Sequence, residues 1–349
     1  EDMEVRTVSV GRLSGKDSTK TNFVVLPIPQ ANPALGFGVT LVGVALYNPN
    51  NSERPWVTGV GAMKAGSSHA MGFVQQASLM QNRLRLLAGY AMADLDLRFY
   101  GIGAAAGDRD VSIPLDQSGR GGVFQALYKV SDHWFVGLRY QSMYLKSSID
   151  LSQAERLGTV IQEADLRRRT ASLGPALEYD SRDDSFYPTK GVSAKLNLNF
   201  YSPEFGSDVS FRHLSASWNR YWRYGPNTVL AARVSGCTVG GQVPFTNMCM
   251  YGMNNDLRGY STGQYRDRAM IAAQAEMRWR FSERWGAVAF AGAGAIGPSF
   301  AELPNQKILP SIGGGLRWQA SKDYKVNVSV DLAFTKDSHA VYLYIGEAF

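Results

Sequence analysis

Apolar and polar residues alternate along most of this chain from about residue 22 onward. In 326–332 one set of alternate positions is Val or Leu and the other is Asn, Ser or Asp, and 192–200 and 94–99 repeat the pattern. Successive side chains of a β-strand point to opposite faces, so each such segment has one apolar face and one polar face. The sequence offers no convincing amphipathic helix to cover the apolar faces. The pattern therefore predicts an all-β protein.

The length of the alternating segments separates two kinds of β protein. Strands of soluble proteins usually have about 5–6 residues, whereas these segments run to roughly 10–16 residues, which suits a tilted strand that crosses a bilayer. Tyr and Trp gather near segment ends, at 140–144, 221–224 and 279–285, as in the aromatic girdles of membrane barrels. An ordinary soluble β core is the alternative explanation of these aromatic residues.

Lipid admits only helices or closed barrels, because buried backbone groups must be hydrogen-bonded. The longest apolar run, 39–47, is far shorter than the about 20 residues of a spanning helix. We therefore predict a transmembrane antiparallel β-barrel of about 16 strands, with 14 as the alternative count. The predicted spans are 22–29, 35–48, 55–65, 70–80, 83–100, 121–130, 133–148, 167–180, 189–202, 209–224, 227–238, 267–282, 285–296, 308–320, 324–335 and 339–348.

The connections between these strands alternate between short and long. Tight turns are expected at 131–133, 282–284 and 321–323, and long loops at 101–120, 149–166, 239–266 and 297–307. Bacterial barrels place short turns in the periplasm and long loops outside, so both chain ends are expected on the periplasmic side. Residues 22–349 are predicted to form one barrel domain, preceded by a linker or arm over 1–21.

Composition agrees with this class and excludes others. The 36 glycines among 349 residues exceed the usual share of about 7%, and the 19% of charged residues falls below the usual share of about 25%. Two cysteines cannot form a disulfide scaffold of this length, and 11% aromatic residues argue against disorder. The net charge of +6 is spread along the chain, and the densest basic cluster, 167–169, lacks interleaved aromatics, so no nucleic acid is expected as a partner.

Catalytic and metal-binding patterns are not found in the sequence. The four histidines show no zinc-like spacing with one another or with the cysteines, and no Gly-x-Ser-x-Gly element occurs. Residues 11–18 have the wrong glycine spacing for a phosphate-binding loop. We predict that the protein is not an enzyme and needs no metal or cofactor.

Two internal stretches carry a family resemblance. The stretch 177–191 resembles the strand–turn–strand signature of the BamA/TamA-type bacterial surface antigen superfamily, with matching residues Asp180, Arg182, Asp183, Pro188 and Gly191. Further on, Leu257, Arg258, Gly259 and Tyr260 resemble the hallmark loop of that superfamily. The similarity in order and spacing covers about 170–349, and more loosely the whole barrel.

The resemblance implies a long surface loop that folds back into the barrel lumen. In the family, the loop arginine meets acidic groups on the two following strands, and Glu276 matches the first position, so we predict an Arg258–Glu276 ion pair. The second position falls in Phe290, Gly292 and Gly294, where the aspartate of the family is missing. Either the anchor is weaker here or Gly292 makes room for the loop. The alternative is a solvated Arg258 on a surface loop.

A buried arginine needs acceptors, because it has lost its hydration. Gly259 would allow the tight backbone conformation that directs Arg258 toward them. Cys237 and Cys249 flank the base of the same loop, and a disulfide there would rigidify it outside the cytoplasm. Two separate free thiols are the alternative.

The chain end 341–349 alternates and finishes on an aromatic residue. It is similar to the terminal signal that outer-membrane barrels present to their assembly machinery, carried here by Tyr344, Ile345, Gly346 and Phe349. Pro27 and Pro29 near the first strand remove hydrogen-bond donors, and Gly346 in the last strand removes a side chain that would pack, so the seam between these two strands is expected to be weak.

The resemblance implies a protein of the Gram-negative outer membrane that inserts proteins into, or moves them across, that membrane through the lateral seam. The expected partners are outer-membrane lipid and lipopolysaccharide, the outer-membrane assembly machinery and a client polypeptide, while homo-oligomerisation stays open. Superfamily members usually carry N-terminal POTRA domains, for which 1–20 is too short. Two alternatives remain, a passive diffusion channel and the barrel anchor of an enzyme whose catalytic domain lies outside this chain.

Overall fold

A computed structural model describes residues 21–32, 36–109, 111–252, 256–336 and 338–349. Residues 1–20, on which the prediction of a linker falls, lie outside the described residues. Sixteen strands form one antiparallel sheet that is nearly closed into a barrel. These barrel strands are β1 Asn22–Asn32, β2 Gly36–Tyr47, β3 Trp56–Ala65, β4 Ser68–Leu79, β5 Leu84–Phe99, β6 Ile113–Lys129, β7 Trp134–Ile149, β8 Arg167–Asp180, β9 Gly191–Tyr201, β10 Phe211–Arg223, β11 Thr228–Gly241, β14 Ala269–Arg280, β15 Trp285–Gly297, β16 Leu309–Ser321, β17 Val326–Phe334 and β18 His339–Ile345.

The remaining elements lie in the connections between barrel strands. Two short strands, β12 Cys249–Met250 and β13 Arg266–Asp267, pair with each other in the long loop between β11 and β14 (residues 242–268, hereafter the long loop). The helices are α1 Ala104–Asp108 and α2 Leu151–Arg156, with 3-10 turns at Glu163–Leu166, Pro203–Phe205, Phe245–Asn247 and Phe300–Asn305. No helix of the described residues is long and apolar enough to span a membrane.

Alternation along each strand gives the sheet two chemically different faces. On β17, Asn327, Ser329 and Asp331 are fully buried, whereas the intervening Val330 is exposed. Phe73 on β4, on the same face as Val330, is 51% exposed. We call the face of Asp331 the inner face and the face of Phe73 the outer face. The outer face is apolar and exposed, as expected for a barrel wall that meets lipid.

The sixteen-stranded all-β barrel predicted from the sequence is confirmed. The predicted start of the sixth strand was wrong, because the loop predicted over 101–120 ends early and β6 already begins at Ile113. Three of the four residues in 119–122 are glycines, so this part of β6 has the composition of a loop. In the structure a Cβ at Gly119 would lie 2.5 Å from the Leu145 side chain of β7, so glycine fits a crowded strand there.

The seam between β1 and β18 differs from every other strand contact in the sheet. Within the described ranges no strand pairing joins β1 to β18. Instead, Val24, Leu26 and Ile28 from the inner face of β1 form a buried cluster with Leu343 and Ile345 of β18, which belong to the outer face. An inner face packing on an outer face means that the two edge strands overlap. The seam is therefore closed by side chains and not by a hydrogen-bonded ladder.

Both edge strands differ in detail from what the sequence predicts. Pro27 and Pro29 do not prevent β1 from forming, since it is an edge strand, where proline is tolerated. The last strand ends at Ile345, before the predicted end at 348, and Gly346 follows it with a φ of +98°. Gly346 thus lies in a bend directly after β18, although its N–H still donates to the Asn327 carbonyl of β17 at 2.7 Å.

Candidate functional site

Arg258 of the long loop lies at the centre of a buried ion network on the inner face. Its side chain is 1% exposed, with Nη2 2.7 Å from Glu276 of β14 and Nη1 2.6 Å from Asp331 of β17. The guanidinium also lies 3.4 Å above the ring centroid of Phe290. Two carboxylates and an aromatic face compensate the lost hydration of a buried arginine.

Two further arginines complete this network. Arg278 Nε donates to Glu276 at 2.7 Å, and Arg317 donates to Asp331 at 2.5 Å and to Glu347 at 2.8 Å. Three arginines thus face three carboxylates, with all six side chains at most 2% exposed. Because the charges balance, the network can stay ionised without water.

The backbone next to Arg258 is held as firmly as its side chain. Gly259 has a φ of +111°, and a Cβ there would lie 2.6 Å from Thr335, so the position requires glycine. Its N–H donates to the Tyr342 hydroxyl at 2.8 Å, and its carbonyl accepts from Ser338 at 2.8 Å. The neighbouring Tyr260 hydroxyl donates to the Pro310 carbonyl at 2.8 Å.

The glycines of β15 leave space for the long loop. A Cβ at Gly292 would lie 3.0 Å from Leu257, and one at Gly294 would lie 2.5 Å from the Tyr251 hydroxyl. That hydroxyl donates to backbone carbonyls of β14 and β15, at 2.6 and 2.8 Å. The glycines that replace the family's acidic position therefore contact loop side chains, and the second carboxylate comes from Asp331 of β17.

Sequence reasoning missed most partners of Arg258. Glu276 was found through the family motif, whereas Asp331 was noted only as one of several polar positions on alternate residues. No sequence motif points to Arg317 or Glu347 as members of this network. Each of these residues is a charged residue on the polar face of an alternating strand, or just after such a strand. This pattern does not reveal the ion-pair partner of the residue, because the partners lie on other strands.

Cys237 and Cys249 form a disulfide with a Cα–Cα distance of 5.8 Å. The bond ties β12 of the long loop to the inner face of β11. His213 Nε2 lies 3.3 Å from the Sγ atom of Cys237. Disulfide sulfur atoms are not thiolates, so this His–Cys–Cys group does not offer zinc ligands in its bonded state.

Removing this disulfide is expected to loosen the long loop while the barrel stays folded. The bond closes a loop of 12 residues, and losing such a cross-link costs about 3 kcal/mol. In a Cys237→Ser/Cys249→Ser variant, limited chymotrypsin digestion followed by mass spectrometry should show faster cleavage within 242–268. Heat-modifiable gel migration serves as the control for the barrel. Equal cleavage rates in both proteins would contradict the expected role of the bond.

The family turn motif forms a second polar group at the end of β8, on the side of the chain termini. Asp180 accepts from Arg182 Nε at 2.8 Å and from Arg85 of β5 at 3.2 Å. Partial burial raises the pKa of Asp183, but hydrogen bonds from the Thr189 hydroxyl and from backbone N–H groups outweigh it, so this pKa lies below its ordinary value.

The other two motif residues lie at the exit of this turn. Pro188 precedes β9, and Gly191 begins it with a φ of +104°. The carbonyl of Ser181 would collide with a Cβ at Gly191. The motif therefore encodes a rigid turn.

The residues of the expected assembly signal lie partly at the end of β18 and partly in the segment that follows it. Tyr344 lies on the inner face, where its hydroxyl donates to Asp331 at 2.5 Å, and Ile345 packs in the seam. After the turn at Gly346, the Phe349 carbonyl accepts from Arg278 at 2.8 Å, and the Phe349 ring centroid lies 5.7 Å from the Arg278 guanidinium carbon. The chain end therefore contacts the ion network.

These features define a class of protein, a large antiparallel β-barrel with an apolar outer face, an overlapped seam and an arginine that fixes its longest loop. The Omp85 superfamily domain matches residues 71–336, and the chain belongs to this superfamily. A comparison with curated protein sequences finds no match.

Solved structures of similar fold include BamA from Haemophilus ducreyi lacking POTRA domains 1–3, with 15% identity and a TM-score of 0.57 over 95% of this chain and 69% of that one. CdiB from Escherichia coli gives 14% identity and a TM-score of 0.63 over 95% of this chain. CdiB from Acinetobacter baumannii gives 10% identity and a TM-score of 0.59 over 93% of this chain. The chain spans 63% and 59% of the two CdiB chains. At these identities the likeness concerns the fold.

Proposed function

We propose that this protein inserts polypeptides into, or moves them across, the outer membrane of a Gram-negative bacterium by opening the seam between β1 and β18. The observation that carries the proposal is the overlapped seam, in which Val24, Leu26 and Ile28 pack on β18 without a ladder. Membership of the Omp85 superfamily, and the similarity to BamA and CdiB, agree with it.

An edge strand in lipid carries unpaired N–H and C=O groups, each of which costs several kcal/mol. A client strand that adds to the free edge of β1 or β18 would pair these groups, as in other cases of strand addition. Separating β1 from β18 requires only that an apolar contact is broken, and lipid is itself apolar. The seam can therefore open at low cost and offer a template for a client strand.

We further propose that the long loop closes the lumen. The contacts of Arg258 with β14 and β17, and of Gly259 with Tyr342 of β18, support a loop fixed across the inner face. A loop fixed in this way would block free diffusion, which argues against a passive channel. Outer-membrane lipid, lipopolysaccharide, the assembly machinery and a client polypeptide remain the proposed partners.

The proposal is tested by reconstituting the chain into lipid vesicles and measuring how fast an unfolded eight-stranded β-barrel protein inserts. We expect faster insertion than into empty vesicles, with no increase in ion leakage before the client is added. Vesicles that contain an unrelated porin are the control for lipid disturbance. An ion leak without faster insertion would contradict the proposal and support a passive channel.

A further inference from the structure

The barrel contains a cavity of about 1310 Å³ beside the long loop, and its walls differ in chemistry. On the inner face of β2 to β6 the lining is mostly apolar and half-buried, with Val42, Val44, Val74 and Val123 as its larger apolar side chains. Interiors of membrane barrels are ordinarily polar. An apolar wall inside the barrel therefore calls for a specific explanation.

The lining on β7 to β11, hereafter the polar wall, is more polar and carries the cations Arg139 and Lys195. Arg139 of β7 donates to the amide oxygens of Gln125 at 3.1 Å and Gln141 at 3.4 Å. Lys195 of β9 is exposed to the cavity and lies opposite Glu178 of β8, a carboxylate that is already ion-paired with two arginines. For neither residue does the described part of the chain supply a carboxylate within 4.0 Å. Both cations are thus available to an anion in the cavity.

Some buried polar atoms on the polar wall have no hydrogen-bond partner within the described part of the chain. Asn199 is 4% exposed and Ser235 is 5% exposed, and both line the cavity. Among the residues that the structure describes, Asn199 Oδ1 and Ser235 Oγ have no hydrogen-bond partner. Buried polar groups are usually hydrogen-bonded, so this wall is built to meet a polar group from outside the chain.

We propose that the cavity binds an anionic lipid, with the acyl chain on the apolar wall of β2 to β6 and the charged headgroup at Arg139 and Lys195. This inference goes beyond protein insertion and does not depend on it. The volume exceeds the about 300–1,000 Å³ of ordinary ligand sites. It therefore suits a large ligand such as a lipid.

A polypeptide fits this cavity less well than a lipid. Strands β2 to β7 are paired on both sides, so their backbone groups are already satisfied. A peptide lying on this wall would bury its own N–H and C=O groups without partners, which is costly. An acyl chain has no such groups. The anionic headgroup of a lipid needs cations, and the polar wall provides them.

The test uses the full-length chain, purified and delipidated, with a fluorescent polyene fatty acid as the probe. We expect saturable binding that phosphatidylglycerol displaces and that phosphatidylcholine displaces weakly. If fatty acid displaces the probe and phosphatidylglycerol does not, the site holds a single-chain anionic lipid, which also supports the proposal. Non-saturable binding, or equal displacement by both phospholipids, would overturn it.

Variants separate the two walls of the cavity. Arg139→Gln/Lys195→Gln should weaken probe binding about tenfold or more, the size expected for losing charge-assisted hydrogen bonds, while binding of a fluorescent polyene alcohol stays unchanged. Val74→Asn should weaken both probes. Lys64→Gln, on the exposed outer face of β3, is the matched control. Heat-modifiable migration reports folding of each variant, and the same affinity in Lys64→Gln and Arg139→Gln/Lys195→Gln would overturn the proposal.

Discussion

Replacing Arg258 with alanine is expected to convert a barrel of low conductance into an open channel. The change removes both ion pairs that connect the long loop to β14 and β17, and breaking a buried pair costs about 3–5 kcal/mol. It also leaves Glu276, Asp331 and Glu347 with only two arginines. Single-channel recording in planar bilayers should show a severalfold larger and more variable conductance than the wild-type chain.

Two further variants sharpen this prediction. Arg258→Lys keeps the charge but loses the planar group that serves both carboxylates, so it should give an intermediate conductance. Arg268→Ala removes an arginine of the same loop that lies outside the ion network, where its side chain donates to the Gly241 carbonyl. Conductances that are the same in the wild-type chain, Arg258→Ala and Arg268→Ala would contradict a loop held by Arg258.

Locking the seam is expected to stop insertion of a client protein. Leu26 of β1 and Leu343 of β18 share the seam cluster, so cysteines at these positions can be joined by a short reducible thiol cross-linker. Because the reductant that cleaves the cross-link would also reduce the native disulfide, the pair is introduced in a Cys237→Ser/Cys249→Ser background. The insertion rate should fall to that of empty vesicles when the seam is joined, because the edges can no longer separate.

The barrel could be predicted from the sequence because its signal is local. Apolar and polar residues alternate along each strand, and burial on β17 follows that alternation from Asn327 to Phe334. The barrel wall separates lipid from the lumen, so each of its strands carries apolar residues on one face and polar residues on the other. No knowledge of distant contacts is needed, and the strand count was therefore right.

The ion network could be predicted only in part because it is built from distant strands. Arg258 and Glu276 stand in one motif and are 18 residues apart, whereas Asp331 is 73 residues from Arg258. Alternation places Asp331 on the inner face but does not say what lies opposite. The choice of β17 over β15 as the source of the second carboxylate depends on packing, since Phe290 and the β15 glycines already contact the loop.

The seam shows the same limit. Pro27 and Pro29 indicate an edge strand, and the sequence thus predicts a weak junction. Leu26 is on the inner face of β1 and packs on the outer face of β18, whereas inner faces adjoin inner faces between paired strands. The alternation of residues along a strand carries no information about this overlap. The sequence therefore predicts a weak seam but not the geometry of its closure.

The central claim, that polypeptides pass into the membrane through an opening between β1 and β18, is tested most directly by one reversible measurement. The insertion rate of the unfolded barrel protein is measured in vesicles with Leu26→Cys and Leu343→Cys cross-linked, and again after a reductant has cleaved the cross-link, beside the Cys237→Ser/Cys249→Ser background treated in the same way. The claim predicts no acceleration while the cross-link is intact and recovery to the background rate after reduction. Insertion at the background rate with the cross-link intact would contradict it.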